Sequence, residues 1–397
     1  GVKGGLQVFL GIDLGSTNIK AMLFDDELRV RAQKSQPVVY LRDGGVVEFD
    51  AEAYYRSLQT LIADLMAQTP DAAVTQIALT GQAESLVCVG ADGNACMNAI
   101  SWMDERSQQQ CEALAAQFDA KTCAQITGQL AVLPTWPASK ILWLRENRPD
   151  VFAATAKFML LKDYIVYKLT GRMLADMSIA TFTFYFDIYR KCYWRQMLDA
   201  IGIDESRLPP LAEPCSVAGP LTAQAAEATG LTERTLVNIG TLDHFAGMIG
   251  TGNTTPGGVT LSTGTVMALA VMAREPAAKD CGIALHYGFL PDTHVMLPVA
   301  ESGGVSLEWF RRTCMGDTSY DEMNRVLAAR AQEQRQQPIF LPYLVGTNAP
   351  EFDTSATGMF WGLRQEHDRF DLAHAVMEGV AFMLRRNCDA IRATGTE

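Results

Sequence analysis

Asp13 and Asp243 each close an apolar, strand-like run, and each is followed at once by a change of local structure. In the first case Phe9-Leu-Gly-Ile-Asp13 runs through Leu14 into Gly15-Ser16-Thr17-Asn18, and a second apolar run follows to Phe24. A hairpin tip requires small or φ-positive residues. A tip this small also lets backbone N–H groups close around an anion, because no bulky side chain blocks the approach. An aspartate at the adjoining strand end is a natural seat for a hydrated Mg²⁺. Phosphate beside metal is the arrangement of nucleotide phosphoryl transfer. The same residues also suit a plain hairpin, with the aspartate only capping the turn. In the second case Leu236-Val-Asn-Ile-Gly240 leads through Thr241-Leu242 to Asp243-His244. A carboxylate at a strand-to-helix junction is favoured by the helix dipole. It serves there either as an N-cap or as a base that orients a hydroxyl nucleophile.

The elements that must hold these residues follow from pattern. A helix is expected after Asp50, its N-cap, with Tyr54, Leu58, Leu61, Ile62 and Leu65 at helical spacing. A strand is expected over Gln76–Thr80, and a turn at 91–94. Residues 105 to 235 read mostly as helix, including Ala138 to Arg145 and Lys162 to Leu169, the latter stopped at Gly171. The Gly/Thr/Pro stretch 251–258 reads as a linker. Immediately after it, Val259-Thr-Leu-Ser262-Thr263-Gly264-Thr265 repeats the strand-then-small-turn pattern of the amino terminus. The division expected is therefore 1–250, a linker 251–258, and 259–397, with one anion turn in each half and a ligand cleft between them.

Composition bounds the function. The 397 residues are 48% hydrophobic and 20% charged, which is a globular balance. The net charge of −12 argues against a nucleic-acid partner. No apolar run is long enough to span a bilayer. The nine cysteines are scattered and never spaced C-x-x-C, which fits reduced thiols in a cytoplasmic protein. Neither G-x-x-x-x-G-K-[ST] nor a strand–G-x-G-x-x-G–helix unit occurs.

Taken in order, Ile12-Asp-Leu-Gly-Ser-Thr17, Thr80-Gly-Gln82, Trp102-x-Asp104-x-Arg106, Pro137-x-x-Lys140, Lys162-Asp163-Tyr164, Asp243, Ser262-Thr-Gly264-Thr265 and Gly358-Met-Phe-Trp-Gly362 resemble the FGGY family of carbohydrate kinases, within the actin-like ATPase superfamily. The resemblance spans essentially the whole chain. It implies an α/β fold of two actin-like (ribonuclease H-like) domains and ATP-dependent, Mg²⁺-assisted transfer to a sugar or polyol hydroxyl. By the same resemblance Asp243 is the catalytic base and Asp13 the carboxylate near Mg²⁺. Gly15, Ser16 and Thr17 form the first phosphate turn, and Thr263, Gly264 and Thr265 the second. Gln82, Glu84, Trp102 and Asp104 fall in segments that line the sugar pocket, with His244 beside the base.

Two departures qualify what the resemblance implies. Ala83-Glu84 stands where xylulose-type relatives carry Met-His and glycerol-type relatives Arg-Glu, so a ketose, such as a ketopentose, or a polyol is expected without a specific sugar. The Gly-Gly-Gly-x-x-Ser turn that holds adenosine in relatives does not occur in these 397 residues, so the second domain is expected to be incomplete. That absence also admits a non-catalytic, sugar-binding pseudokinase; intact Asp13 and Asp243 speak for catalysis. Lys20 is expected to be a surface lysine, Arg106 to contact either Asp104 or a sugar, and a homodimer is left open.

Overall fold

The computed structural model describes residues 6–264, 266–274, 282–300, 302–331, 333, 336–347, 349–353 and 355–395. They fall into two compact units, Gly1–Gly250 with His286–Thr293, and Thr251–Leu285 with His294–Glu397. No sequence signal announced the return of 286–293 to the first unit. Among the described residues no helix is long and apolar enough to cross a membrane.

The first unit is built on a six-stranded sheet. Its order is Val217–Pro220, Leu236–Leu242, Ala72–Gly81, Leu6–Leu14, Asn18–Phe24 and Val30–Pro37. The Leu6–Leu14, Ala72–Gly81 and Leu236–Leu242 strands run parallel, while the amino-terminal hairpin continues antiparallel. Along Leu6–Leu14 and Ala72–Gly81 one face is buried, through Val8, Leu10, Ile12 and Leu14 and through Val74, Ile77 and Leu79, while Phe9, Thr75 and Ala78 on the other stay exposed. The expected helix forms over Ala51–Gln68, with Asp50 Oδ1 accepting from the Ala53 N–H at 2.9 Å. Tyr54, Leu58, Leu61, Ile62 and Leu65 are buried on it, in the same core as Leu10, Ile12, Ile77, Val237 and Ile239 of the sheet. Each such leucine contributes about 1.5–3 kcal/mol of burial.

A second sheet orders Leu41–Asp43, Val46–Phe49, Ala99–Ile100, Leu86–Gly90 and Thr155–Leu160. The last strand lies inside the region read as mostly helical. Its run Phe158-Met-Leu160 is fully buried, and a short, continuously apolar segment carries no period that separates strand from helix. The next helix, Leu161–Thr170, ends at Gly171 in the left-handed conformation, as its sequence indicated.

In the second unit Val259–Thr263 pairs antiparallel with Met267–Ala273, which also pairs with His294–Met296 and Val299–Ala300. Phe310, Met323, Phe340, Ala373 and Val376 form a core beneath the helices Gly304–Cys314, Tyr320–Arg330 and Arg369–Ala393. The long carboxy-terminal helix opens with a capping box from Asp368 and Asp371.

Candidate active site

The amino-terminal hairpin places Asp13 directly across from Lys20, with Nζ 4.0 Å from Oδ2. Both residues line a groove of about 660 Å³ in the first unit, together with Thr80, Asn238, Gly240 and Thr241. Lys20 is thus solvent-exposed, as expected of a surface lysine, yet it stands in the groove beside the metal-type carboxylate. The signal for this was in the hairpin itself: a turn at 15–17 puts residues 13 and 20 on one face. Burial raises the Asp13 carboxyl above the usual carboxylate range, and the nearby Asp243 raises it further, while Lys20 opposes both.

The turn at Gly15–Thr17 is tightly braced. A Cβ on Gly15 would lie 2.5 Å from the Asn18 carbonyl oxygen, so the tip tolerates no side chain there. The Gly15 carbonyl accepts from the Tyr54 hydroxyl at 3.1 Å and from Gln82 Nε2 at 3.3 Å. Ser85 Oγ donates to Gln82 Oε1 at 2.6 Å and accepts from the Trp102 backbone N–H at 3.0 Å. The Trp102 indole N–H then donates to Ser16 Oγ at 2.7 Å. Gln82 is buried, and its amide is turned to the phosphate-type turn. Thr17 is exposed. Trp102 keeps 39% of its surface, an aromatic face free to meet a ligand.

Asp104 departs from expectation. Its carboxylate is fully buried, and it accepts from the Val47 N–H at 2.6 Å and from Arg106 at 2.9 and 2.7 Å. Arg106 also pairs with Glu48 at 2.8 Å. Asp104 therefore has no free lone pair facing solvent and shapes the Trp102 loop instead of meeting a hydroxyl. Glu84 sits at φ +66°, a left-handed conformation costly for a side chain of this type. Burial raises its carboxyl above the ordinary range, and the buried Lys140 ammonium pulls it down. Lys140, missed by sequence reasoning as a site element, donates to the carbonyls of Glu84 at 3.0 Å and Ser101 at 2.8 Å. It ties the two ends of the sugar-type segment together.

Asp243 begins the helix Asp243–Gly250 straight after the Leu236–Leu242 strand. Its Oδ1 accepts from the His244 backbone N–H at 2.6 Å. Asp243 is exposed, yet desolvation by the chain around its carboxyl raises it above the ordinary range, and His244 offsets part of that rise. His244 is half-buried next to it. In the second unit Thr263 and Gly264 are exposed at the end of a strand, with the Gly264 carbonyl accepting from the Gly304 N–H at 2.9 Å. Thr265 lies outside the described residues.

The donor chemistry suits a hard divalent cation. Asp243 burdens Asp13 with like charge, and a single lysine at 4.0 Å compensates. Among the described residues no group of three or more His, Cys, Asp or Glu could enclose a metal. One or two carboxylates, completed by water and phosphate oxygens, is the set Mg²⁺ takes.

Comparison with known proteins places these features in a family. Residues 8–250 match the N-terminal domain of the FGGY family of carbohydrate kinases, and residues 259–397 its C-terminal domain. Xylulose kinase of Bacillus subtilis (strain 168) is 30% identical over 98% of this chain and 78% of that protein. Gluconokinase of Bacillus licheniformis is 24% identical over 94% of this chain and 75% of that protein. Among solved structures, xylulose kinase from Rhodospirillum rubrum superimposes with a TM-score of 0.92 at 26% identity, covering 98% of this chain and 80% of that one. With two domain models matched across nearly all of its length, the chain belongs to the FGGY family of carbohydrate kinases.

Proposed function

We propose that this carbohydrate kinase phosphorylates a hydroxyl of a ketose at the expense of ATP, with Asp243 as the general base. The observation that carries the reading is Asp243 at its strand-to-helix junction, in the same unit as the Asp13–Lys20 pair and near enough to raise the Asp13 carboxyl. Phosphoryl transfer asks for positioning, charge stabilisation and a group that takes the proton of the attacking hydroxyl. Asp243 accepts that proton as the hydroxyl oxygen attacks the γ-phosphorus and ADP leaves. Its raised pKa brings it nearer the operating range of a base. Asp13 would hold Mg²⁺ through oxygen and water; when bound, the ion neutralises charge on the phosphate oxygens. Gly15, Ser16 and Thr17 supply N–H groups and a hydroxyl to phosphate. Thr263, Gly264 and Thr265 are assigned to the phosphates by family resemblance alone.

For the sugar, the Trp102 face suits C–H surfaces, and Glu84 and His244 suit hydroxyls. Among sugars this reading takes a neutral ketose over an aldonic acid. The xylulose kinases among the relatives point the same way. The test is ADP release across ketopentoses, ketohexoses, polyols and gluconate. Asp243→Asn should lower kcat on the preferred sugar by ~10²–10⁴-fold. Near-wild-type turnover by that variant overturns the base assignment, and a preference for gluconate overturns the ketose assignment.

A further inference from the structure

The strand that delivers Asp243 is irregular where it matters. Pairing of Leu236–Leu242 with Ala72–Gly81 slips between Asn238 and Thr241. Gly240 at that bulge has φ +63°, and a Cβ there would lie 1.5 Å from the Leu79 carbonyl oxygen. A bulge withdraws backbone groups from the ladder and re-aims the residues that follow it. Each withdrawn group has to find a partner.

The structure provides them individually. The Gly240 N–H donates to Asn238 Oδ1 at 2.8 Å, and the Gly240 carbonyl accepts from the Cys215 N–H at 2.8 Å. The Ile239 carbonyl accepts from Lys162 Nζ at 2.6 Å. Lys162 is fully buried and pairs with the equally buried Asp176 at 2.8 Å. Asp176 accepts from the Ser178 N–H at 2.8 Å and from the Ser178 hydroxyl at 2.8–2.9 Å. Ser178 Oγ in turn accepts from Thr241 Oγ1 at 2.9 Å and from the Leu242 N–H at 3.3 Å. The Thr241 carbonyl accepts from the Thr80 hydroxyl at 2.8 Å. A serine hydroxyl has one proton and two lone pairs, and all three are used here.

A buried ion pair stabilises a fold weakly against an apolar replacement. This one runs from the freed carbonyl before the bulge to the last backbone N–H before Asp243. We propose that Lys162, Asp176 and Ser178 are positioning residues that hold the bulged strand end, and so set where the Asp243 carboxylate stands toward the attacking hydroxyl. The proposal rests on the reading of Asp243 as the base.

The experiment compares Ser178→Ala, Ser178→Thr, Asp243→Asn and the Ser178→Ala/Asp243→Asn double variant on the preferred sugar, with slow rates followed over hours. Ser178→Ala should lower kcat about 10–100-fold, the scale of a misplacement near 1 Å. Its sugar KM should stay within about threefold, since the sugar-type segment is untouched, and Ser178→Thr should restore most of kcat by restoring the hydroxyl. In the Asp243→Asn background Ser178→Ala should cost less than about twofold, because no base is left to position. Wild-type kcat in Ser178→Ala, or an undiminished loss in the Asp243→Asn background, overturns the positioning role. Near-wild-type kcat in Asp243→Asn overturns the base reading itself, and the brace with it. Lys162→Met is a second probe: if it folds, it should show the same split between kcat and KM, and a changed KM with unchanged kcat contradicts the proposal.

Discussion

Replacing Trp102 with Phe keeps an aromatic face for a ligand but deletes the indole N–H that reaches Ser16 Oγ at 2.7 Å. The indole donates to one lone pair of Ser16, which leaves the serine proton available, and in the proposed function that proton goes to a phosphate oxygen. Trp102 is itself fixed, through its backbone N–H to Ser85 Oγ, and Ser85 is bonded to Gln82, which holds the Gly15 carbonyl. The tryptophan and the turn therefore share one hydrogen-bonded ring. Both side chains retain solvent contact, which places the Trp102–Ser16 bond in the middle or lower part of the usual ~0.5–1.5 kcal/mol. About 1 kcal/mol corresponds to roughly a fivefold change in rate or affinity.

In ADP-release kinetics with saturating ketose and varied ATP, Trp102→Phe should lower kcat/KM for ATP about fivefold. Ser16→Ala should cost more, about tenfold or beyond, because it also removes a donor to phosphate, worth about 1.5–3 kcal/mol when the acceptor is charged. The decisive measurement is the cycle. Once Ser16 has no oxygen, the indole has nothing to orient, so the double variant should match Ser16→Ala alone, with a coupling near 1 kcal/mol. Any effect of ring shape on sugar KM persists in both backgrounds and cancels from the ATP coupling. If the two losses add to within about 0.3 kcal/mol, the indole does not act through Ser16, and the proposed link between Trp102 and the phosphate turn is wrong.

Further outcomes follow from the same geometry. Because Asp243 and Asp13 are both raised by desolvation and the base works deprotonated, kcat/KM should rise with pH along a limb lying above the ordinary carboxylate range; a flat profile down to pH 4 contradicts this. Asp163, in contact with Asp176, is pushed up to about 8, chiefly by burial. The folded state thus holds a proton that the unfolded chain releases near 3.9, so stability from this group is full below about 4 and declines as pH rises toward 8. Chemical denaturation across that range should show the decline in wild type and its flattening in Asp163→Asn. Gly240→Ala should destabilise by more than about 3 kcal/mol or prevent folding, since the added carbon meets the backbone of a central strand; a melting temperature within 2–4 °C of wild type, roughly a 1 kcal/mol change, refutes the bulge. Asp104→Asn should lower the melting temperature while leaving sugar KM within about twofold, because its acceptors face Val47 and Arg106; a large KM change restores it as a ligand contact.

What could be read from the chain beforehand was whatever declares itself over a few residues. The hairpin at 13–20, the Asp50 cap, the helical spacing of Tyr54 to Leu65 and the Gly171 stop each rest on a local rule, and each formed as read. Asp13 and Asp243 could be singled out because a carboxylate at the end of an apolar run is conspicuous. That Asp243 bears on Asp13 was not legible, since the sequence does not say that the Leu6–Leu14 and Leu236–Leu242 strands flank one central neighbour. Gln82 and Asp104 show the opposite difficulty, since both spend polar atoms on neighbouring groups of the chain. Both lie in sugar-type segments, and residue type alone cannot tell a polar group that faces a ligand from one that completes a buried backbone.

Lys162 shows why such groups escape sequence reading. It belongs to the Lys162-Asp163-Tyr164 motif, which had diagnostic value for the family but no chemical role, because nothing adjacent to it in the chain needs a cation. The need arises elsewhere, at a carbonyl freed by the bulge at Gly240, and that bulge is imposed by the route of the Leu236–Leu242 strand past Leu79. A buried ammonium can be placed only once the unpaired carbonyl is known, and a buried carboxylate such as Asp176 only once the ammonium is. The order of dependence therefore runs from strand register to bulge, from bulge to orphaned backbone group, and from there to Lys162, Asp176 and Ser178. A motif whose residues answer a distant backbone demand will look inert when read locally, and its substitution will be felt at Asp243 rather than where it lies.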